Sequence, residues 1–288
     1  MNQITTSEID RKSKPLADKI FSSILERQSP YEVRLAQTYQ ELRSAYSLVY
    51  QEYLVRGYCR KKRSKMNLSY FCVLPGSRTF ILLETQTHRI CGTASLIVDS
   101  PSGLPMESSF DEPLRRVRSE ERRIAEVTLL AVVADVGGND PDPLMSFGKL
   151  ITVLSFFREI LNYARFRGIT DLVITVNPKH ETTYRSFGFK PIGPELPYEK
   201  VCGSPAVPMH LDIVAFCDVK FRGEAVQKYF LKELCLDSFH REPAHWDSGV
   251  REKLVRRIHF SHPETLSIFQ SYLRACYAVQ KSNGKDSE

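Results

Sequence analysis

No segment of the 288-residue sequence approaches the roughly 18 to 20 uninterrupted apolar residues that a membrane helix needs. The opening stretch, MNQITTSEIDRKSKPLADK, is polar and holds no apolar segment of a secretory leader. The seven cysteines are scattered, odd in number and form no Cys-x-x-Cys pair. That excludes a disulfide framework and a Cys-rich metal site and predicts reduced thiols. These absences predict a cytoplasmic protein without a membrane span. No Gly-x-Gly-x-x-Gly follows the first strand-like segment and no Walker lysine motif occurs, so a nucleotide cofactor has no seat. Internal repeats and low-complexity tracts are also missing.

The apolar content of 42% is enough for a sizeable core in one large domain, or in a domain with an appendage. A formal charge of +6 permits an acidic partner without selecting one. Positive charge concentrates in RKKRSK, which holds Arg60, Lys61, Lys62 and Arg63, and in LRRVRSEERR (Leu114–Arg123). No zinc-finger spacing or RNA-recognition motif accompanies either run. A solvated face is the simple reading, and nucleic acid is not an expected partner.

Residues 1–29 are polar and read as a flexible arm. YEVRLA (Tyr31–Ala36) alternates as a strand does, and the next segment carries a helical stripe of Tyr39, Leu42, Tyr46, Val49, Tyr50 and Tyr53 that stops at Gly57. Two strand-like segments, Thr79–Thr85 and Arg89–Ser100, form an expected hairpin. Residues 101–122 read as a polar connection. Arg123–Asp135 is the longest β-like apolar run, and its lack of alternation predicts a central strand buried on both faces. An amphipathic helix is expected at Leu144–Arg167, then a strand, DLVITV (Asp171–Val176), and closing strands near 189–192 and 207–213. Beyond 213 the pattern is helical. The predicted class is α/β: a mixed, mostly antiparallel sheet flanked by helices at residues 30–213, with a helical extension at 214–288.

The segment after DLVITV is NPKHETTYRSFGF (Asn177–Phe189), in which a short helix carries Tyr184 and the chain returns through Gly188. One account is a β-α-β turn with Tyr184, Phe187 and Phe189 in the core. The other is a tyrosine held over a site at the strand's end. This N…YxxxGF pattern and the element order resemble the acyltransferase fold of the Gcn5-related N-acetyltransferases. Over about Tyr31–Ile213 the sequence is more similar to the N-acyl amino acid synthases, relatives of the acyl-homoserine-lactone synthases. The similarity is carried by SAYSLVYQEYLVRGY, ICGTASLIVDSPSGLP, IAEVTLLAV and the N…YxxxGF segment.

The resemblance implies transfer of a long acyl chain from acyl carrier protein to the amine of an amino acid or similar small molecule. It makes Glu126 the base that accepts the amine proton and Tyr184 the partner of the departing thiolate. Thr128, Leu129, Leu130 and Ala131 would line the substrate site with Asn177, their amides polarising the thioester carbonyl. Ser146, Gly148 and Lys149 would form a reduced phosphate cradle, suited to the single phosphate of a pantetheine arm. Asp140 and Asp142 beside it would repel a pyrophosphate. Arg60, Lys61, Lys62 and Arg63, or the second basic run, would dock the carrier protein. No cofactor is permanently bound; the acyl-pantetheine donor is a substrate. The sequence departs from the family pattern at Thr128-Leu129, where Ser-Arg is usual. Two alternatives stay open: a coenzyme A-dependent N-acyltransferase, and a non-catalytic module that binds acyl chains or a partner.

Overall fold

In the computed structural model the described residues are 29–133, 136, 147–217, 228–231 and 248–258. The strands are β1 (Tyr31–Leu35), β2 (Arg78–Glu84), β3 (Ile90–Val98), β4 (Ile124–Val132), β5 (Asp171–Val176), β6 (Lys190–Pro191), β7 (Leu196–Tyr198) and β8 (Ser204–Asp212). The helices are α1 (Tyr39–Val55), α2 (Glu107–Val117), α3 (Phe147–Phe166), α4 (Glu181–Ser186), α5 (Ile213–Cys217) and α6 (Ser248–Val255). The sheet runs β1-β2-β3-β4-β5-β8-β6, with β7 on β8. Every pairing is antiparallel except β4 with β5, which the α3 crossover makes parallel. The expected mixed, mostly antiparallel architecture is what forms.

Period-two alternation divides each strand between two cores. Phe80, Leu82, Ala94, Leu96, Ala125, Leu172 and Ile174 meet Leu154, Phe157 and Leu161 of α3. Ile81, Leu83, Ile97, Ile124 and Val173 meet Leu42 and Tyr46 of α1, and Phe110 and Leu114 of α2. Helices on both faces explain why β4 lacks the polar alternation of a strand with one face in water. A capping box starts α1, Thr38 and Glu41 each serving the other's backbone N–H, and Gly57 at φ +73° ends the turn after it.

The 101–122 segment corrects the expectation of a polar connection, because it contains α2. Its helical signal is weak: Pro113 lies inside it, Phe110 is kinked out of helical geometry, and few of its residues are apolar. Ion pairs of Asp111 with Arg115 and of Glu112 with Arg116, four residues apart, support it instead. The second basic run is thereby engaged, since Arg118 pairs with Asp99 and Glu107, and Arg122 with Asp171 and Asp212.

The described parts of the chain beyond 213 pack onto both cores. Leu254 and Val255 join the α1–α2 side. Phe216 and Phe230 close on Phe157 with ring centroids 5.7 and 5.3 Å away, and Phe187 and Phe189 lie at 6.0 and 5.7 Å. Phe157→Ala is therefore expected to cost about 3–5 kcal/mol, read as a lower urea midpoint at unchanged slope.

Candidate functional site

Strands β4 and β5 pair from Ile124 opposite Asp171 to Val127 opposite Ile174 and then separate. The cause lies in β4. Ser95 faces Thr128 and Thr93 faces Ala131, so Leu129 and Leu130 together oppose Ala94. This bulge puts Leu129 at φ +54°, a left-handed conformation that costs a side-chain-bearing residue about 1–2 kcal/mol. Strain of this kind collects where a backbone must be aimed. From Thr128 onward the β5-facing edge of β4 has no strand partner among the described residues, and a cavity of about 260 Å³ opens there.

The cavity passes between the sheet's two faces. Phe156, Phe157, Phe187 and Phe189 wall it on the α3 side, while Tyr53 and Tyr198 stand on the other. Its lining contains no Asp or Glu, but it includes Arg56, Lys179 and Lys200. Among the predicted residues, Thr128, Leu129, Leu130, Ala131, Asn177 and Tyr184 all line it. Of the aromatic stripe in α1, Tyr53 reaches the cavity, whereas Tyr46 is core, its hydroxyl 2.9 Å from Thr79 Oγ1.

Glu126 does not line the cavity. It is fully buried two residues before Thr128, on the same face of β4. Its Oε2 accepts a 2.8 Å hydrogen bond from the Met106 N–H at the start of α2, while Oε1 has no partner. Burial pushes the carboxyl up to about 8; the Met106 amide and the Lys200 charge pull it back, and Glu107 adds to the rise. A buried carboxyl with one orphan oxygen, behind a cavity wall, is equipped to take a proton through an intervening hydroxyl or water.

The Asn177–Phe189 segment explains its own sequence. The Asn177 side chain accepts from the Lys179 N–H and turns the chain out of β5. After α4, Gly188 at φ +97° reverses it, and the Phe189 N–H bonds back to the Tyr184 carbonyl. The Tyr184 ring meets Phe187 and Phe189 edge-on at 5.9 and 6.0 Å. The partly buried ring packs against the core, and the residue also lines the cavity. No described group hydrogen-bonds its hydroxyl, and burial pushes its pKa up to about 12, so the phenol stays protonated near neutral pH.

Ser146, Asp140 and Asp142 lie outside the described residues, as does the side chain of Lys149, while Gly148 falls in the first turn of α3. Arg60, Lys61 and Arg63 are exposed, whereas Lys62 is half-buried with its Nζ 2.5 Å from Asn67 Oδ1. No described residues form a metal-binding group, and no described helix is long and apolar enough to cross a membrane.

Sequence reasoning missed Tyr198 and Lys200, and it read His180, which also lines the cavity, as a solvent-facing or capping residue. Tyr198 is buried on the three-residue β7. Burial raises its pKa, and the nearby Glu126 charge adds to that rise. A strand this short has no periodic signature that could single out its tyrosine.

No curated protein matches the chain. The solved structure of FeeM, an N-acyl amino acid synthase from uncultured soil microbes, is 28% identical over 65% of this chain and 92% of its own, with a TM-score of 0.56. The acyl-homoserine-lactone synthase LasI shares the fold at a TM-score of 0.50 and 17% identity, covering 69% of this chain and 94% of LasI. The family model of the N-acyl amino acid synthase FeeM matches residues 44–212, more than half of the sequence, from within α1 to the end of β8, and so includes every residue that lines the cavity. The chain belongs to the FeeM family of N-acyl amino acid synthases.

Proposed function

We propose that the protein transfers a long acyl chain from the pantetheine thioester of an acyl carrier protein to the amine of an amino acid. Family membership supports N-acyl transfer as the reaction. The observation that carries the finer reading is the parting of β4 and β5 around an aromatic-walled, acid-free cavity, with Glu126 behind it and Tyr184 on it.

In this scheme the pantetheine arm enters along the unpaired edge of β4 as an added strand does. Amides around the Leu129–Ala131 bulge polarise the thioester carbonyl. The acceptor ammonium loses a proton, its nitrogen attacks the carbonyl carbon, the C–N bond forms and the C–S bond breaks. Glu126 takes a proton from the nitrogen by way of the Tyr198 side or a water. The Tyr184 hydroxyl gives its proton to the thiolate and regains one from solvent. An acceptor entering as ammonium leaves one net proton in solution. Residues 30–213 would carry this chemistry in the cytoplasm, with 214–288 as an extension. The exposed Arg60, Lys61 and Arg63, which have no ion pairs among the described residues, would dock the acidic carrier.

Lipid extracts of cells overproducing the protein, compared by mass spectrometry with a Glu126→Gln strain, test the reaction. A new acylated amino acid confined to the wild type is expected. Equal product in both strains would remove Glu126 from the mechanism. With purified protein, turnover of acyl-coenzyme A but not of the acyl carrier protein would replace the proposed donor. Tyr184→Phe is expected to lower kcat by roughly 10²-fold at nearly unchanged acceptor KM, and a loss below about threefold would assign the thiolate's proton elsewhere.

A further inference from the structure

The resemblance implies an arginine three residues after the glutamate, but Leu129 stands there, with its backbone turned into the bulge. An amino acid nevertheless brings a carboxylate, and a cavity without a cation for it would bind the bare amine equally well. The cavity lining holds three cations and no carboxylate. Arg56 is already held by Glu52 at 2.5 Å. Lys179 follows β5 beside Asn177, on the side where Tyr184 would meet the leaving thiolate. Lys200 lies in the 3-10 turn Glu199–Val201, two residues after Tyr198, and no described carboxylate lies within ion-pair distance of it. Among the three it is the cation whose charge acts on Glu126.

Building on the proposed reaction, we infer that Lys200 binds the carboxylate of the acceptor and so makes the site select amino acids over simple amines. An α-amino acid seated this way has its carboxylate at the exposed lysine and its nitrogen, two bonds from the carboxyl carbon, further in, toward Tyr198 and the Glu126 side of the cavity. The distance between an amino acid's two charged groups is thereby used to orient the nitrogen. No Asp or Glu lines the cavity, so no lining carboxylate competes with the incoming acid for Lys200 or draws the ammonium away from the Glu126 side. Lysine, a point charge on a flexible stem, fits a mouth open to acceptors of different side chain.

The test is a binding panel of L-leucine, L-phenylalanine and L-tyrosine, their methyl esters and the corresponding amines, titrated by calorimetry into the full-length protein and into Lys200→Met and Lys200→Arg. The wild type is expected to prefer free acids over esters by roughly ten- to a hundred-fold, the worth of a hydrogen bond to a charged group. Lys200→Met is expected to erase that preference while leaving ester affinity in place, and Lys200→Arg to keep most of it. A preference that survives in Lys200→Met, or a wild type that binds no free acid better than its ester, overturns the inference. The reaction itself is judged separately: acylated amines formed without any preference for acids would sink the Lys200 assignment alone. Acid-selective binding with no acylated product would sink the proposed reaction and leave the binding site standing. The pH profile adds a readout that lost binding alone would not move. The groups that set the Glu126 carboxyl are Lys200, Glu107, Tyr198 and the Met106 amide. Removing Lys200 removes a charge that favours the carboxylate, so the activity rise of Lys200→Met with ester acceptors should shift to higher pH.

Discussion

Glu126→Gln is expected to lower kcat/KM for acyl transfer by roughly 10²- to 10⁴-fold, the range associated with a general base. The substitution is close to isosteric, and glutamine can still accept the Met106 N–H, so the 101–106 segment and α2 should stay in place. Only the ability to take a proton disappears. In the wild type, kcat/KM should rise with pH to a plateau with an apparent pKa near 8, because the free carboxyl keeps its proton below that value. An acceptor with a weakly basic amine separates this rise from titration of the substrate. A rise that follows the acceptor's pKa and persists in Glu126→Gln would assign the base to another group.

The same residue should leave an opposite mark on stability. An unfolded glutamate titrates near about 4.3. In the folded protein burial holds the Glu126 proton up to about 8. Between those values the folded state binds a proton that the unfolded state has lost, so the contribution of Glu126 to stability falls as pH rises across that window. Glutamine cannot titrate. The stability of Glu126→Gln relative to wild type should therefore climb from pH 5 to pH 8, read as the difference in urea midpoints. An inactive variant that gains on the wild type with pH is what a base kept at the cost of stability predicts. A difference that stays flat with pH would mean that the carboxyl titrates normally.

Asp171→Asn is expected to destabilise the fold by roughly 3 kcal/mol near neutral pH, the scale for removing one partner of a buried ion pair. Asp171 begins β5 at the end away from the cavity and is completely buried. Its Oδ1 receives Arg122 at 3.0 Å and lies 2.7 Å from His210 Nε2, and its Oδ2 accepts from Thr170 at 2.5 Å. Burial by itself would raise its pKa, but the His210 and Thr170 hydrogen bonds and the nearby charges of His210 and Arg122 outweigh it and hold the carboxyl low. A depressed carboxylate stabilises the protein fully above its unfolded value of about 3.9 and loses that contribution as pH falls through the folded one. The variant's deficit should therefore be largest at neutral pH and shrink below about pH 4. Acyl transfer per folded molecule should be unaffected, because the cluster lies at the opposite end of β5 from the cavity-lining Ile174, Thr175 and Val176. A deficit under about 1 kcal/mol would mean that Arg122 and His210 find other partners, as Arg122 already does in Asp212.

How much of this is legible in the sequence depends on the range of the interactions involved. Apolar runs, the stripe of α1 and the turn residues Asn177 and Gly188 are local, and each element formed where its own residues called for it. The helix α2 was hidden because four-residue ion pairs hold it in a segment poor in apolar residues. Resemblance supplied Glu126 and Tyr184 as candidates, and the buried carboxyl and the free hydroxyl came from the fold alone.

By itself, then, the sequence determined the order of the longer elements other than α2, the central place of β4 and the aromatic composition of what became the cavity wall. All of these follow from periodicity and from residues adjacent in the chain. Tertiary structure decided that β4 would bulge at Leu129 and leave β5, that Glu126 would sit behind the cavity rather than in it, and that Tyr198 and Lys200 would arrive beside it. The physical reason is that the proton affinity of the Glu126 carboxyl depends on groups as far along the chain as Met106 and Lys200, which are brought together by sheet register and helix packing. A local pattern has no means of encoding those distances.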